Sequence, residues 1–160
     1  ASASVLPIWA KQIENGNKIT ITNPNMTRFL ISTDQAVNLV LKASQLTKGG
    51  EIFILKMPAI KLGDLAKVFI DKYASDKKIK ILPIGNRGGE KEHEELVDAG
   101  DLDRDIFQNK EMLIITPPQA VYYKKGVIRS YLGFSKIKNP DSIALSSLNS
   151  INVDAIKKFI

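Results

Sequence analysis

Alternating and helical hydrophobic patterns divide the chain into short strands and amphipathic helices. The sequence Lys-Ile-Thr-Ile-Thr at residues 18–22 alternates polar with apolar positions, which predicts a strand. Residues 62–73 carry apolar side chains at helical spacing, which predicts a helix with one buried face. Similar patterns predict helices at 4–14, 33–46, 90–97 and 153–160, and strands at 51–55, 79–84 and 112–115.

The alternation of strands with helices predicts an α/β fold with some mixed α+β character. We expect Thr33 to cap the second helix, in which Val37, Val40 and Leu41 mark one face. Residues 117–160 lack a clear pattern before the terminal helix, so we expect a loosely structured C-terminal extension. With no linker or internal repeat, residues 1–160 are interpreted as a single region.

Composition excludes several classes of protein. Apolar residues make up 44% and charged residues 25%, which is typical of a globular domain. The chain has no cysteine, which excludes disulfides, cysteine zinc sites and a cysteine nucleophile. No apolar run approaches the roughly 20 residues that span a bilayer, so we expect no membrane span and a cytoplasmic location. The net charge of +6 is dispersed and aromatic residues are only 7%, which disfavours a nucleic-acid partner.

Most candidate motifs have a simple structural interpretation. The sequence contains neither G-x-G-x-x-G nor G-x-x-x-x-G-K-[ST], so it has no recognisable nucleotide-phosphate loop. Tyr73 and Lys77 have the Tyr-x-x-x-Lys spacing of a phenolate base, but Tyr73 continues an apolar stripe and is interpreted as a core residue. His93 is the only histidine, and we interpret it as a surface or helix-packing residue.

Two arginines are candidates for anion binding. Arg28 follows a turn, and Arg87 lies in a glycine-flanked turn after a predicted strand, with Glu90 three residues further on. The planar guanidinium suits bidentate binding of phosphate. Glu90 is positioned to orient Arg87 or to accept ribose hydroxyls. The alternative is that these arginines only cap carbonyl groups or pair with acids.

Four segments in order resemble one enzyme family. They begin with Ser-Val-Leu-Pro-Ile at residues 4–8 and Thr-Ile-Thr-Asn-Pro-Asn-Met-Thr-Arg-Phe at 20–29. A third runs from Gly-Gly-Glu-Ile-Phe at 49–53 to residue 67, and the fourth is Arg-Gly-Gly-Glu-Lys-Glu-His-Glu-Glu-Leu at 87–96. Together they resemble the C-terminal half of the polysaccharide-biosynthesis nucleotide-sugar dehydratases. These are extended short-chain dehydrogenases/reductases that act as UDP-N-acetylglucosamine 4,6-dehydratases, and some are also 5-epimerases.

The resemblance implies roles for particular residues. Arg28 matches the arginine that holds the UDP pyrophosphate, and Arg87 and Glu90 match a second segment that contacts phosphate and ribose. Val5 and Pro7 match a stretch that lies against the uridine. The chain departs from the family in having Gly88 in place of a proline. The implied function is the UDP-sugar-binding part of a 4,6-dehydratase or epimerase of surface polysaccharide biosynthesis.

The resemblance also implies what lies outside this chain. The family's glycine-rich cofactor turn and catalytic Tyr-x-x-x-Lys belong to an N-terminal half, so we expect no cofactor on this chain and NAD(P) in the absent half. The chain alone is therefore expected to be inactive. The strand at 49–55 is expected to join the parallel sheet of that half, which makes the cofactor domain or self-association the expected partner. The alternative is a non-catalytic, dehydratase-like binding or assembly module.

Overall fold

The computed structural model describes residues 5–86, 88–118, 130–139 and 146–160. The fold is mixed α/β, as the sequence predicted, and it divides into two compact units. Unit 1 is assembled from three separate stretches of chain, Ala1–Leu30, Pro58–Glu94 and Ser146–Ile160. Unit 2 consists of Ile31–Met57 and Glu95–Leu145.

Unit 1 combines three helices with two pairs of strands. The helices are α1 (Val5–Glu14), α3 (Leu62–Tyr73) and α4 (Val153–Phe159). The strands are β1 (Lys18–Ile21), β2 (Thr27–Phe29), β4 (Ala59–Lys61) and β5 (Lys80–Pro83). β1 pairs in parallel with β5, and β2 pairs antiparallel with β4. The three helices and the strands β1 and β5 confirm their predictions, whereas the short strands β2 and β4 had no hydrophobic pattern to reveal them.

Helix α1 covers the edge of β1 that faces away from β5. The indole Nε1–H of Trp9 donates to the carbonyl of Thr20 at 2.8 Å, and the backbone N–H of Thr20 donates to Gln12 Oε1 at 2.8 Å. Gln12 Nε2 also donates to Thr20 Oγ1 at 2.8 Å. An unpaired strand edge is a template for pairing with another chain. Here side chains of the preceding helix occupy the backbone groups of Thr20.

The core of unit 1 lies between α3, α1 and the strands. Leu65, Ala66 and Phe69 of α3 are buried as its stripe predicted. Tyr73 at the end of that stripe is 57% exposed, so its interpretation as a core residue was wrong. Its ring stacks on Phe69 with centroids 4.9 Å apart, and Lys77 is exposed after the helix has ended. The fully buried members of this core are Trp9, Ile19, Met26, Ile60, Ala66, Ala74 and Ile156.

The described residues of unit 2 form one α-helix, a short 3-10 helix at Ala99–Asp101 and an antiparallel sheet. The helix is α2 (Thr33–Leu46), and the strands are β3 (Ile52–Leu55), β6 (Ile106–Gln108), β7 (Met112–Ile115) and β8 (Ser135–Lys136). The strand order is β3-β7-β6-β8. We expected β3 to find a parallel partner in another domain. Within this chain it pairs antiparallel with the buried strand β7. Because β3 is the first strand in the order, this pairing uses one of its edges, and the parallel partner in another domain stays a prediction.

Helix α2 is capped by Ser32, one residue before the expected cap Thr33, and the described residues leave its apolar face uncovered. Ser32 accepts from the N–H of Gln35, and Gln35 accepts from the N–H of Ser32, which forms a capping box. Val37, Val40 and Leu41 are 52%, 67% and 56% exposed. Hydrophobic spacing therefore identified the helix correctly but does not say what covers it.

Gly63 makes the closest glycine contact in unit 1 and supplies a stability test. A Cβ added at Gly63 would meet the backbone oxygen of Pro24 at 3.0 Å and its Cβ at 3.1 Å. Overpacking of this kind costs about 1–3 kcal/mol, partly offset by about 1 kcal/mol of improved helix propensity. We expect Gly63→Ala to lower the urea midpoint, whereas Gly16→Ala, which meets no atom within 4 Å, leaves it nearly unchanged. Equal midpoints for the two variants would contradict this packing argument.

Glu51 in unit 2 predicts a loss of stability in acid. Burial raises the pKa of its carboxyl, but hydrogen bonds from the hydroxyls of Tyr131 and Thr47 and from the N–H of Lys48 outweigh burial, so the pKa lies below its ordinary value. A lowered folded-state pKa stabilises the fold above the unfolded-state value, and the gain is lost as the pH falls through the folded value. Urea unfolding at pH 7 and pH 3 should therefore show a smaller acid loss for Glu51→Gln than for the unmodified chain. An unchanged acid loss would exclude this role.

Candidate functional site

Strand β2 holds Arg28 at the surface of unit 1. Side chains alternate across the strand, so Thr27 is fully buried while the side chain of Arg28 is 26% exposed. Pairing with β4 fixes the register, with Arg28 opposite the buried Ile60. Pairing with β4 therefore fixes the backbone on both sides of Arg28, and this holds the guanidinium at the surface.

Residues 90–94 wrap around the Arg28 guanidinium. Nη1 donates to the carbonyl of Thr27 at 2.7 Å and to that of Glu92 at 3.3 Å. Nη2 lies 3.3 Å from Glu90 Oε1, and Nε lies 3.6 Å from Glu94 Oε1. One guanidinium thus bridges two carboxylates and two backbone carbonyls. This arrangement combines a cation with acceptors that suit ligand hydroxyl groups.

The segment 90–94 is not the short helix that its pattern predicted. The N–H of Thr27 donates to the carbonyl of Glu92 at 3.0 Å, and the N–H of Phe29 donates to Glu94 Oε2 at 3.3 Å. Asn23 Nδ2 donates to Glu92 Oε1 at 3.4 Å. The prediction was wrong because the carbonyl and carboxylate groups of this segment bind β2 and the turn before it, and these tertiary bonds override local helix propensity.

A buried hydroxyl pair lies behind Arg28. Thr27 Oγ1 is 2.6 Å from Ser147 Oγ and 2.8 Å from His93 Nδ1. Glu94 and Ser147 exchange two further bonds, since the N–H of Glu94 donates to Ser147 Oγ at 2.7 Å and the N–H of Ser147 donates to the carbonyl of Glu94 at 2.8 Å. Thr27 and Ser147 are both fully buried. Sequence reasoning missed both residues, because neither lies in a pattern that carries chemistry.

Acidic side chains outnumber the guanidinium at the site by two to one. Arg28 faces the carboxylates of Glu90 and Glu94, whose side chains are 31% and 43% exposed. An anion that uses the guanidinium must therefore displace at least one carboxylate. Within the described ranges, no group of three or more potential metal ligands is present.

A family comparison identifies the chain. The family model described as polysaccharide biosynthesis protein matches residues 1–116. The chain belongs to this family. The matched range includes Arg28 and the segment 90–94, whereas Ser147 lies beyond it.

Individual proteins that are similar to this chain extend the comparison. A UDP-glucose 4-epimerase from Rickettsia canadensis is 34% identical over 98% of this chain and 45% of its own length. An uncharacterized membrane protein, MJ1061, from Methanocaldococcus jannaschii is 45% identical over 71% of this chain and 35% of its own length. The X-ray structure of Pen from Bacillus thuringiensis matches with a TM-score of 0.79 and 34% identity, over 98% of this chain and 44% of that chain. This chain thus spans less than half the length of each. In the part of it that is described, no helix has the length and apolar character needed to cross a bilayer.

The structure brings together some of the residues singled out from the sequence. Arg28 and Glu90 form an ion pair, as two residues of one candidate site. Arg87 lies outside the described residues. Val5 is half-buried and packs against the core of unit 1, and Pro7 is exposed in the first turn of α1. No described contact joins either of these two residues to Arg28, so their role beside uridine stays a prediction.

Proposed function

We propose that this chain is the UDP-sugar-binding part of a nucleotide-sugar dehydratase or epimerase of polysaccharide biosynthesis. The observation that carries the proposal is the Arg28–Glu90 pair at 3.3 Å, positioned by β2 in a chain of this family. The name UDP-glucose 4-epimerase on a relative that is similar over 98% of this chain supports a UDP-sugar as the ligand class.

Arg28 would grip the pyrophosphate of the ligand. The guanidinium is already held by hydrogen bonds and ion pairs in the folded protein. Binding a ligand would therefore lose little further side-chain entropy. A diphosphate carries several oxygens and two negative charges, so two of its oxygens can bind the guanidinium fork in a bidentate way in place of one carboxylate. Glu90, once released, would accept hydrogen bonds from the ribose hydroxyls. Val5 and Pro7 are proposed to lie against the uridine, and Arg87 to bind phosphate.

The reaction assigned to the whole protein is 4,6-dehydration, with 4-epimerisation as the second candidate because of the relatives' name. A nicotinamide cofactor supplies the hydride acceptor for such chemistry, and we assign that cofactor to a segment outside this chain. The residues described here bind and orient the nucleotide end. Product analysis by NMR with UDP-N-acetylglucosamine and UDP-glucose on the whole protein separates the two reactions.

The role of Arg28 is tested by UDP titration. We expect Arg28→Ala to weaken UDP binding about 10- to 100-fold, as for the loss of a charged hydrogen-bonding group. Arg28→Lys should recover little, because an ammonium cannot form the bidentate contact. Arg104→Ala is the matched control, since Arg104 also forms an ion pair, with Asp101 at 3.2 Å, and its side chain is 24% exposed. Isothermal titration calorimetry that gives the same UDP affinity for Arg28→Ala and the unmodified chain would overturn the proposal.

Glu90 gives a test with opposite signs for its two roles. If Glu90 accepts ribose hydroxyls, Glu90→Gln should weaken UDP binding and leave the binding of inorganic pyrophosphate unchanged or stronger. If Glu90 only competes for Arg28, the same variant should strengthen binding of both ligands, because one competing charge is removed. We expect the first pattern in paired titrations. Strengthened binding of both ligands would remove Glu90 from the ligand contacts.

A further inference from the structure

The hydroxyl groups of Thr27 and Ser147 form a chain whose proton positions follow from the contacts. Ser147 Oγ already accepts from the N–H of Glu94, and Thr27 Oγ1 is its other polar neighbour among the described residues. The hydroxyl proton of a fully buried serine needs an acceptor, because an unsatisfied buried donor costs about 1–3 kcal/mol. Ser147 therefore donates to Thr27.

The donor role of Ser147 determines the next bond. Thr27 Oγ1 accepts from Ser147, and the remaining polar atom within its reach in the described structure is His93 Nδ1 at 2.8 Å. With Ser147 as its donor, Thr27 Oγ1 can donate to His93 Nδ1 in the tautomer that carries the ring proton on Nε2. The hydrogen-bond chain runs in one direction, from the N–H of Glu94 through Ser147 and Thr27 to the imidazole of His93.

We propose that Ser147 is a positioning residue for the Arg28 site, acting through Thr27 and the segment 92–94. It closes a ring of bonds, because Glu94 binds Ser147 through its backbone while its carboxylate reaches Arg28 Nε. Thr27 is the neighbour of Arg28 in β2. Loss of the Ser147 hydroxyl therefore removes one hydrogen bond from Thr27 and one from Glu94, the residues on either side of the guanidinium. As far as ligand binding is concerned, this inference rests on the proposed UDP-binding function.

The stretch that carries Ser147 is itself anchored to the strand beside β2. Ile151 forms a parallel bridge with Ala59 of β4, and the N–H of Asn152 donates to the carbonyl of Ala59 at 2.9 Å. Ser147 is thus held on the same pair of strands that carries Arg28. Ser147 lies 119 positions after Arg28, near the C-terminal helix, and belongs to no recognised motif. This anchoring makes it part of the scaffold of the site.

The first test is independent of any ligand. The Nε–H signal of Arg28 in a nitrogen–proton correlation spectrum is assigned by its absence from the Arg28→Ala spectrum. We expect this signal to shift in Ser147→Ala and in Thr27→Val, and to stay near its original position in Thr27→Ser, which keeps the hydroxyl. Ser150→Ala is the matched control, because among the described residues its hydroxyl binds the carbonyl of Ser146 in the same turn and no other group. An unmoved Arg28 signal in Ser147→Ala would overturn the inference.

The imidazole supplies a second ligand-free readout. Because the chain has one histidine, all imidazole nitrogen signals come from His93. In the neutral ring, the Nδ1 resonance should be that of a nitrogen that carries no proton and accepts a hydrogen bond. A protonated Nδ1 in the neutral ring would reverse the deduced direction of the chain and contradict the proposed route through Thr27.

A double-mutant cycle tests the functional consequence. We expect Ser147→Ala to weaken UDP binding about fivefold, a modest coupling for residues in one hydrogen-bond network. In the Arg28→Ala background the same change should have almost no further effect, because the group that Ser147 positions is gone. A normal affinity in Ser147→Ala beside a weakened Arg28→Ala would reject the inference alone. An unchanged affinity in Arg28→Ala would reject the proposed function, and the Arg28 signal would then decide the inference.

Discussion

The hydroxyl of Thr27 is the contact on which the arrangement around Arg28 depends. It is fully buried, and it joins the imidazole of His93 to the hydroxyl of Ser147 at 2.8 Å and 2.6 Å. Buried polar groups of this kind specify one arrangement, since every alternative leaves a donor or acceptor unsatisfied. The backbone of Thr27 adds a bond to Glu92, so one residue of β2 locates both the segment 90–94 and the stretch that carries Ser147.

The charge balance around Arg28 suggests how binding and release can both be achieved. The two nearby carboxylates neutralise the guanidinium, which is 26% exposed, and keep its side chain oriented without a ligand. Exposed ion pairs contribute little to stability, so displacing one of them costs little. Under the proposed function, a diphosphate would gain a preformed cation, yet it would have to compete with Glu90 and Glu94 for it. Affinity is then limited by the competition, whereas orientation comes from the strand.

Sequence patterns identified the helices and strands that are long enough for a hydrophobic period to be recognised. Helices α1, α3 and α4 and the strand β1 were expected within a few residues of their observed bounds. Strands β2 and β4 are three residues each, too short for an alternating pattern to emerge. The helix expected at 90–97 failed for a different reason, since its polar groups bind other segments. Periodicity does not contain that information, because those partners are distant in sequence.

The residues of the candidate site divide in the same way, into those that the local sequence indicates and those that only the fold reveals. Arg28 and Glu90 were accessible to sequence reasoning because their residue types suit a phosphate and a ribose, and their segments resemble a known family. Ser147 was not, since a serine in a stretch without periodicity has no chemical signal until the fold places it beside Thr27. Its importance is a consequence of burial, which a sequence does not show directly.

The three stretches of chain that build unit 1 each contribute one part of the site. Thr27 and Arg28 come from the first, residues 90–94 from the second and Ser147 from the third. Bringing the three stretches together closes loops in the chain. The entropy lost in closing these loops must be offset by contacts in the assembled unit. Because the site's own hydrogen bonds join all three stretches, the site can exist only when unit 1 is fully assembled. Under the proposed function, anion binding at Arg28 would therefore be coupled to the folding of that unit, since a ligand that binds only the assembled form also stabilises it.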